Sequence, residues 1–336
     1  LSDLHYFGDE EKENDEKTLK LQIKFIQDVK PDLVIIMGDA IQISDEKMDQ
    51  FEALWKRFTK PMVDAKIPYV YLLGNHDVED DSKRPWVVEL DQTNPWSMRK
   101  GQDGIPGTTN FILPISSSRN PDEVATMLWF LESGTVGCEG FVSSWGCIEQ
   151  FQLDWYSKES DRIRETYGPN LHQIAFFHTP VQELLELYND GQFYGEKNDF
   201  IGCSYINTGF FDLVKKKGGI DGFFFAHDHL NTFGGWHQGI ELVYAVKTGY
   251  NTYGDKRGCR VIKFKETFNE QGELTVTRDH FALMEDGSVQ LTSDLKRRVG
   301  DKVPNCRFPG SYSKLYNRWI RQIHYFKRWI SQFRFF

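Results

Sequence analysis

The stretch Gly222-Phe223-Phe224-Phe225-Ala226-His227-Asp228-His229 constrains this chain more than any other. Three successive aromatics after a glycine predict a buried strand, and strands with apolar residues on both faces belong to layered α/β architectures. In extended backbone, residues i and i+2 point the same way, so His227 and His229 share one face at the strand's carboxyl end. A lone His-x-His is more often ordinary surface or core histidine than ligand. Its meaning rests on whether other strands end alike.

They do. The apolar run Asp32 to Met37 closes on Gly38-Asp39, Tyr69 to Leu73 closes on Gly74-Asn75-His76-Asp77, and Gln173 to Phe177 closes on His178-Thr179-Pro180. The chain opens on Leu1-Ser2-Asp3-Leu4-His5, read as the last residue of a clipped strand followed by a loop with Asp3 and His5 again at i and i+2. Between these runs the spacing predicts helices. The first spans Glu16 to Lys30, with a stripe of Leu19, Ile23, Ile26 and Val29 widened by Phe25; others span about Glu46 to Ala65, Ile148 to Tyr167, Pro180 to Tyr188 and Phe210 to Lys217. The acidic run Asp9 to Glu16 reads as a solvated loop leading into the first helix. Strands alternating with helices, with polar residues collected at the strands' carboxyl ends, are how open α/β sheets build their sites. Thr109 to Pro114 and Thr126 to Leu131 look like strands of a second sheet, completed by antiparallel strands at Glu241 to Lys247, Gly258 to Lys265 and Leu274 to Leu283. The stretch Val78 to Gly107 reads as loop and short helix pinned by Trp86 and Trp96.

With 336 residues, 40% of them hydrophobic, the chain has ample material for a sizeable core. No repeat or linker interrupts it before about residue 285, so the organisation is one domain over 1–285 and an extension over 286–336. The formal charge is −9, and the segment Tyr312 to Phe336 carries six Lys/Arg and no Asp/Glu, which leaves −15 on the body. An acidic body argues against nucleic acid as a partner. In the tail, Leu315, Trp319, Ile323, Phe326, Ile330 and Phe333 form a helical stripe with Arg and Lys on the other faces. It reads either as a terminal helix packed on the body or as an amphipathic helix lying on an anionic membrane surface. The five cysteines show no zinc spacing, and an odd count does not describe a closed disulfide framework. Cys138 and Cys147, bracketing a Gly-rich stretch, are the pair that invites a bridge. There is no Asn-x-Ser/Thr sequon and no apolar run of membrane-spanning length.

Collected, the strand-end residues are Asp3, His5, Asp39, Asn75, His76, His178, His227 and His229. Oxygen and imidazole donors without thiolate suit first-row ions such as Mn, Fe, Zn or Co, and they are too many for one ion. Two ions would need a bridging carboxylate, which a Gly-Asp turn after a buried strand can supply.

Asp3-x-His5, Gly38-Asp39, Gly74-Asn75-His76-Asp77, His178 and Ala226-His227-Asp228-His229 resemble, in order, the motifs of the calcineurin-like metallophosphoesterase superfamily. Within it, Trp129-Phe130-Leu131-x-Ser133-Gly134, Phe177-His178-x-Pro180 and Gly249-Tyr250 to Tyr253-Gly254 are similar to blocks of the proteins grouped with purple acid phosphatases 28 and 29. The resemblance implies a four-layer α/β/β/α sandwich of two mixed β-sheets with flanking helices. It implies two divalent or trivalent metal ions, one held by Asp3, His5 and His229, the other by Asn75, His178 and His227, with Asp39 bridging. A hydroxide between the ions would attack phosphorus in line with the leaving oxygen. His76 would stabilise the phosphate or protonate the leaving group, and Asp77 would orient and charge His76.

Two departures from the family pattern stand out. Ala226 replaces the usual Gly of the last motif, a change that leaves the ligands alone. Gln42 stands where purple enzymes have a tyrosine ligand, and His5, which they lack, is present; the protein should not be purple.

The implied substrate is a phosphorylated small molecule or phosphoprotein, and the implied activity is hydrolysis of phosphate monoesters. Alternatives are a phosphodiesterase acting on nucleotides or phospholipid headgroups, and a scaffold on the same fold without catalysis. Asn231, His237, Tyr250, Asn251 and Tyr253 read equally as pocket-wall or turn residues. Compartment is left open between cytoplasm and secretory pathway, the basic tail offering a route to a membrane surface.

Overall fold

The structure is a computed structural model and describes residues 1–78, 80–99 and 107–308. In chain order its elements are α1 (Lys12–Val29), β1 (Val34–Ile36), α2 (Phe51–Ala65), β2 (Tyr69–Tyr71), α3 (Arg84–Gln92), β3 (Phe111–Ser116), β4 (Val124–Phe130), β5 (Val136–Cys138), β6 (Phe141–Trp145) and α4 (Gln150–Tyr167). There follow β7 (His172–Phe176), α5 (Glu183–Asp190), α6 (Phe210–Lys217), β8 (Ile220–Phe225), β9 (Gly234–His237), β10 (Ile240–Tyr244), β11 (Gly258–Phe268), β12 (Leu274–Met284) and β13 (Val289–Leu291). The tail stripe, and with it the membrane contact expected of residues 312–336, lies outside the described residues. Among the described residues no helix is long and apolar enough to cross a membrane.

Period-two alternation along the strands separates three apolar layers. Met127 and Trp129 of β4, Ala175 of β7, Phe223 and Phe225 of β8, and Leu242 and Tyr244 of β10 face α4, α5 and α6. Their neighbours Leu128, Phe130, Ile174, Phe176, Phe224 and Val243 face the other way and meet Met37, Val70 and Leu72 in a core between the sheets. Tyr69 and Tyr71 of β2, with Val34 and Ile36 of β1, face Phe51, Trp55, Phe58 and Met62 of α2. The result is helix, sheet, sheet, helix. One sheet is mixed, six-stranded, in the order β3-β4-β7-β8-β10-β9. In the other, β1 pairs parallel with β2, Leu1 bonds to β1 through Ile35 O and Met37 N, Ser2 bridges Lys247, and Lys247 O accepts from Gly258 N at the start of β11.

Three expectations are corrected here. The strand expected at Glu241 to Lys247 is not antiparallel: β10 runs parallel to β8 inside the six-stranded sheet, because a connection through the β9 hairpin returns it in the same direction. The strands at 109–114 and 126–131 do belong to a second sheet, but those at 258–265 and 274–283 do not complete it: β11 and β12 form an antiparallel three-stranded sheet of their own with β13. And α1 buries a different face from the predicted stripe. Leu21, Phe25 and Ile26 point inward while Ile23 is 38% exposed, because Asp15, Thr18 and Gln22 are also turned in. Gln22 accepts from the Tyr6 hydroxyl at 2.5 Å, and Asp15 accepts from Phe7 N and Gly8 N at 3.1 and 2.9 Å, so it belongs to the interior rather than to a solvated run.

Cys138 pairs with Cys147, tying the β5–β6 hairpin as expected. Cys203 pairs with Cys306, a bridge the sequence did not announce, and Cys259 is buried and free. Residues 289–308 pack on the body: β13 pairs with β12, Lys296 bridges Phe193, and Arg307 N donates to Ile201 O.

Candidate metal centre

Three of the five strand ends deliver their side chains through unusual backbone. Asp3, His5, Asp39 and His227 all have positive φ, at 49°, 47°, 52° and 77°. That region is uncommon for non-glycine residues and is retained where surrounding structure over-determines it, which clusters it at functional sites. Gly74 explains the tightness of the turn before Asn75. A Cβ there would lie 2.2 Å from Asp39 Oδ1 and 2.5 Å from Asp39 N, so no other residue lets the β1 and β2 turns close on each other.

The side chains converge in two groups that share Asp39. Asp3, His5, Asp39 and His229 form one; Asp39, His178 and His227 form the other, each with donor atoms within 4.8 Å of one another and every residue buried. Asn75 completes the second, its Oδ1 lying 2.8 Å from His227 Nδ1 and 3.1 Å from His178 Nε2. His76 stands at the rim, partly exposed, its ring centroid 5.7 Å from that of His5 and its backbone N–H donating to Asp39 Oδ1 at 2.7 Å. All seven residues expected to hold metal are therefore brought together.

The donor set fits cations. His178 Nδ1 lies 2.7 Å from Met37 O, so that nitrogen donates, and Nε2 faces Asn75 Oδ1 and, at 3.3 Å, Asp39 Oδ2. Burial opposes charge on His178, yet the Asp39 carboxylate raises its pKa to about 9. In the first group, His5 Nε2 and His229 Nε2 face each other at 3.1 Å, and Asp3 Oδ1 is buried with no hydrogen-bond partner, 3.6 Å from His229 Nε2. Burial keeps His5 neutral, well below its ordinary range, and takes His227 down to about 3. Burial also opposes the charge on Asp3 and Asp39, but neighbouring histidines outweigh it, His229 for Asp3 and His178 for Asp39, and hold both carboxyls below their usual range. Ionised Asp3 and Asp39 and neutral His5 and His227 are in the ligand form that metal binding needs, and His178 would give up its proton to a bound cation.

Asp77 is placed differently from the expected pairing with His76. Its Oδ1 accepts from Ala40 N (2.7 Å), Ile41 N (3.0 Å) and the Tyr71 hydroxyl (2.6 Å), and its Oδ2 accepts from Asp39 N (2.8 Å) and Gly74 N (2.6 Å). With five donors on it, the carboxylate pins the turn that carries Asp39, a role the expectation of its orienting His76 did not include.

The surroundings hold residues that sequence reasoning passed over. Trp145, on the disulfide-tied hairpin, sets its ring edge against His227 with centroids 4.3 Å apart, and donates from Nε1 to Arg307 O at 2.9 Å. Asp228, pushed up to about 8 by burial, accepts from Gly202 N at 2.8 Å and from the Tyr244 hydroxyl. Lys247 is buried behind His229. Of the five loop residues read as wall or turn, Asn231 and Asn251 are buried turn residues, and Tyr253 stacks on His229 with centroids 4.3 Å apart and its own ring 45% exposed. Spacing gave no signal for Trp145, whose partners His227 and Arg307 are distant in the chain.

A two-sheet α/β sandwich that gathers seven Asp, Asn and His donors into two groups around one carboxylate defines the metallophosphoesterase class. A family model described as calcineurin-like phosphoesterase matches residues 1–231, and the chain belongs to that family. It is 30% identical over 251 residues to "Probable inactive purple acid phosphatase 29" of Arabidopsis thaliana, covering 69% of this chain and 64% of that one. It is 27% identical over 274 residues to "Probable inactive purple acid phosphatase 28" of the same plant, covering 75% and 68%. The chain thus spans less than two thirds of the length of the first relative. Among solved structures, a dimetal phosphatase from Danio rerio aligns with a TM-score of 0.53 at 12% identity, over 88% of this chain and 96% of that one, a likeness of fold.

Proposed function

We propose that this protein hydrolyses phosphate monoesters at a two-metal centre. The observation that carries the reading is the pair of donor groups sharing buried Asp39, each closed by histidines whose free nitrogens face acceptors or one another. In this reading Asp3, His5 and His229 hold one cation, Asn75, His178 and His227 the other, and Asp39 lies between them. When bound, two cations of the Mn, Fe, Zn or Co type supply charge neutralisation for the phosphate and an acidified water as nucleophile. The chain's own residues do the rest. Asp77 holds the Asp39 turn rigid, Trp145 and Tyr253 wall the two outer histidines, and His76 at the rim is placed to stabilise the phosphate oxygens or protonate the departing one. With Gln42 in place of a tyrosine ligand, no purple colour is expected.

The word "inactive" in the names of two relatives belongs to those proteins. Against extending it here stands the complete donor set, since a decayed centre loses ligands. The two disulfides among the described residues support an oxidising, secretory compartment over the cytoplasm. The proposed substrates are phosphorylated small molecules or phosphoproteins, with no role for nucleic acid as a binding partner. The test is turnover of para-nitrophenyl phosphate against the bis-ester by metal-stripped protein resupplied with Mn, Fe, Zn or Co, beside Asp39→Asn. Metal-dependent monoester turnover lost in the variant is expected. Faster turnover of the diester would make the protein a phosphodiesterase, and no turnover from folded, metal-loaded protein would leave the scaffold reading.

A further inference from the structure

Lys247 is 2% exposed and sits at the end of the strand path that continues β10. Its Nζ meets three oxygens, Asn251 O, Thr252 Oγ1 at 2.6 Å and Tyr253 O at 2.8 Å. Two of these are carbonyls that only accept. These contacts tie Lys247 to the loop it closes, and its approach to His229 Nδ1 is longer, at 3.4 Å. Thr252 Oγ1 lies 3.1 Å from that same Nδ1. Thr252 itself has φ 63°, a left-handed conformation that a β-branched residue rarely adopts and that the Lys247 contacts hold in place.

The rest of the loop reaches only toward one half of the centre. Gly249 N donates to Asp3 O at 3.1 Å, Asn251 Nδ2 donates to His5 O and to Asp15 Oδ1, both at 2.7 Å, and the Tyr253 ring lies nearly parallel to the His229 imidazole, 17° between planes. Asp3, His5 and His229 are the non-shared donors of the first group. The second group is oriented by other means, His178 by Met37 O and His227 by Trp145.

We infer that Lys247 and Thr252 are positioning residues for the first cation: by closing the loop 247–253 they give His229 Nδ1–H an acceptor in Thr252 Oγ1, which leaves the Nε2 lone pair facing Asp3 and His5. The inference rests on the two-metal reading. Partners that fix the second nitrogen of a ligating histidine typically change metal affinity roughly 10- to 100-fold when removed.

The test is equilibrium dialysis of the metal-stripped full chain against manganese, counting ions bound, for wild type, Thr252→Val, Thr252→Ala and Thr252→Ser. Ala carries less bulk at a positive φ and serves if Val does not fold, as judged by thermal melting. Wild type should take up two ions in resolved steps. Val and Ala should weaken one step roughly 10- to 100-fold and leave the other in place, and Ser, which keeps the hydroxyl, should restore it. Two ions bound by Val and Ala with wild-type affinity would overturn the inference while the two-metal reading stands. Equal weakening of both steps would overturn it as well, since Thr252 would then be supporting the fold at large. A wild type that takes up no manganese would overturn the two-metal reading and this inference with it.

Discussion

Replacing Asp77 by Asn separates its two possible roles. The carboxylate receives three donors on Oδ1 and two on Oδ2, four of them backbone N–H groups of the Asp39 and Gly74 turns. An amide keeps one acceptor oxygen. In its better orientation it still serves Ala40 N, Ile41 N and the Tyr71 hydroxyl, and points its NH₂ at Asp39 N and Gly74 N, which then have no acceptor. Two buried donors left unsatisfied at roughly 1–3 kcal/mol each give a destabilisation of about 2–6 kcal/mol. At roughly 2–4 °C per kcal/mol for a domain of this size, the melting midpoint of Asp77→Asn should fall by several degrees at least. Denaturant unfolding and manganese uptake on the same samples are the assays, and both should fall together because Asp39 loses its anchor. If instead stability and metal uptake match wild type while turnover is lost mainly for esters with poor leaving groups, Asp77 acts through His76 and the reasoning is refuted.

Three further outcomes are expected. Gly202→Ala places a Cβ 2.8 Å from His227 Cδ2 and 2.5 Å from Asp228 Oδ1, so it should displace His227 and cost one bound ion while Gly235→Ala, far from the centre, should not; equal metal counts in the two variants would count against it. Glu241 is buried, but His280 and Arg278 outweigh the burial and hold its pKa at about 2 against an ordinary 4.5. A depressed carboxyl contributes stability that is full above the unfolded pKa and lost as pH falls through the folded one. The stability gap between wild type and Glu241→Gln should therefore shrink between about pH 5 and pH 2, and a gap independent of pH would contradict the assignment. Cys203→Ser removes a bridge spanning a separation of 103 residues and should destabilise the protein by about 4–5 kcal/mol on the chain-entropy estimate; a denaturation midpoint unchanged from wild type would show that the bridge contributes nothing.

The site was more legible than the scaffold around it. Strand ends announce themselves because a buried run must change abruptly to polar residues, so Asp39, Asn75, His178, His227 and His229 could be read in order. The phase of α1 could not, because its inward face is partly polar: Asp15, Thr18 and Gln22 are buried on hydrogen bonds to Asn251, Tyr250 N and Tyr6, all outside the helix. Asp77 reads as a partner of His76 by adjacency, whereas its donors are mostly backbone amides of another turn, and amides leave no trace in sequence. The Cys138–Cys147 bridge was visible because both ends flank one hairpin. Cys203 and Cys306 meet only after the segment beyond β13 has run past Phe193 and Asn189 to Ile201, which no local pattern encodes.

Both halves of the centre take donors from both sheets: Asp3, His5, Asp39 and Asn75 come from one, His178, His227 and His229 from the other. The apolar layer of Met37, Val70, Leu72, Phe130, Phe176 and Phe224 is therefore a spacer as well as a core, since its thickness sets how far apart the two sets of ligands stand. Close packing leaves such a layer little compressibility. It works as the fixed jaw gap of a caliper, and a side chain shortened there, without touching a ligand, resets the distance that the ligands measure.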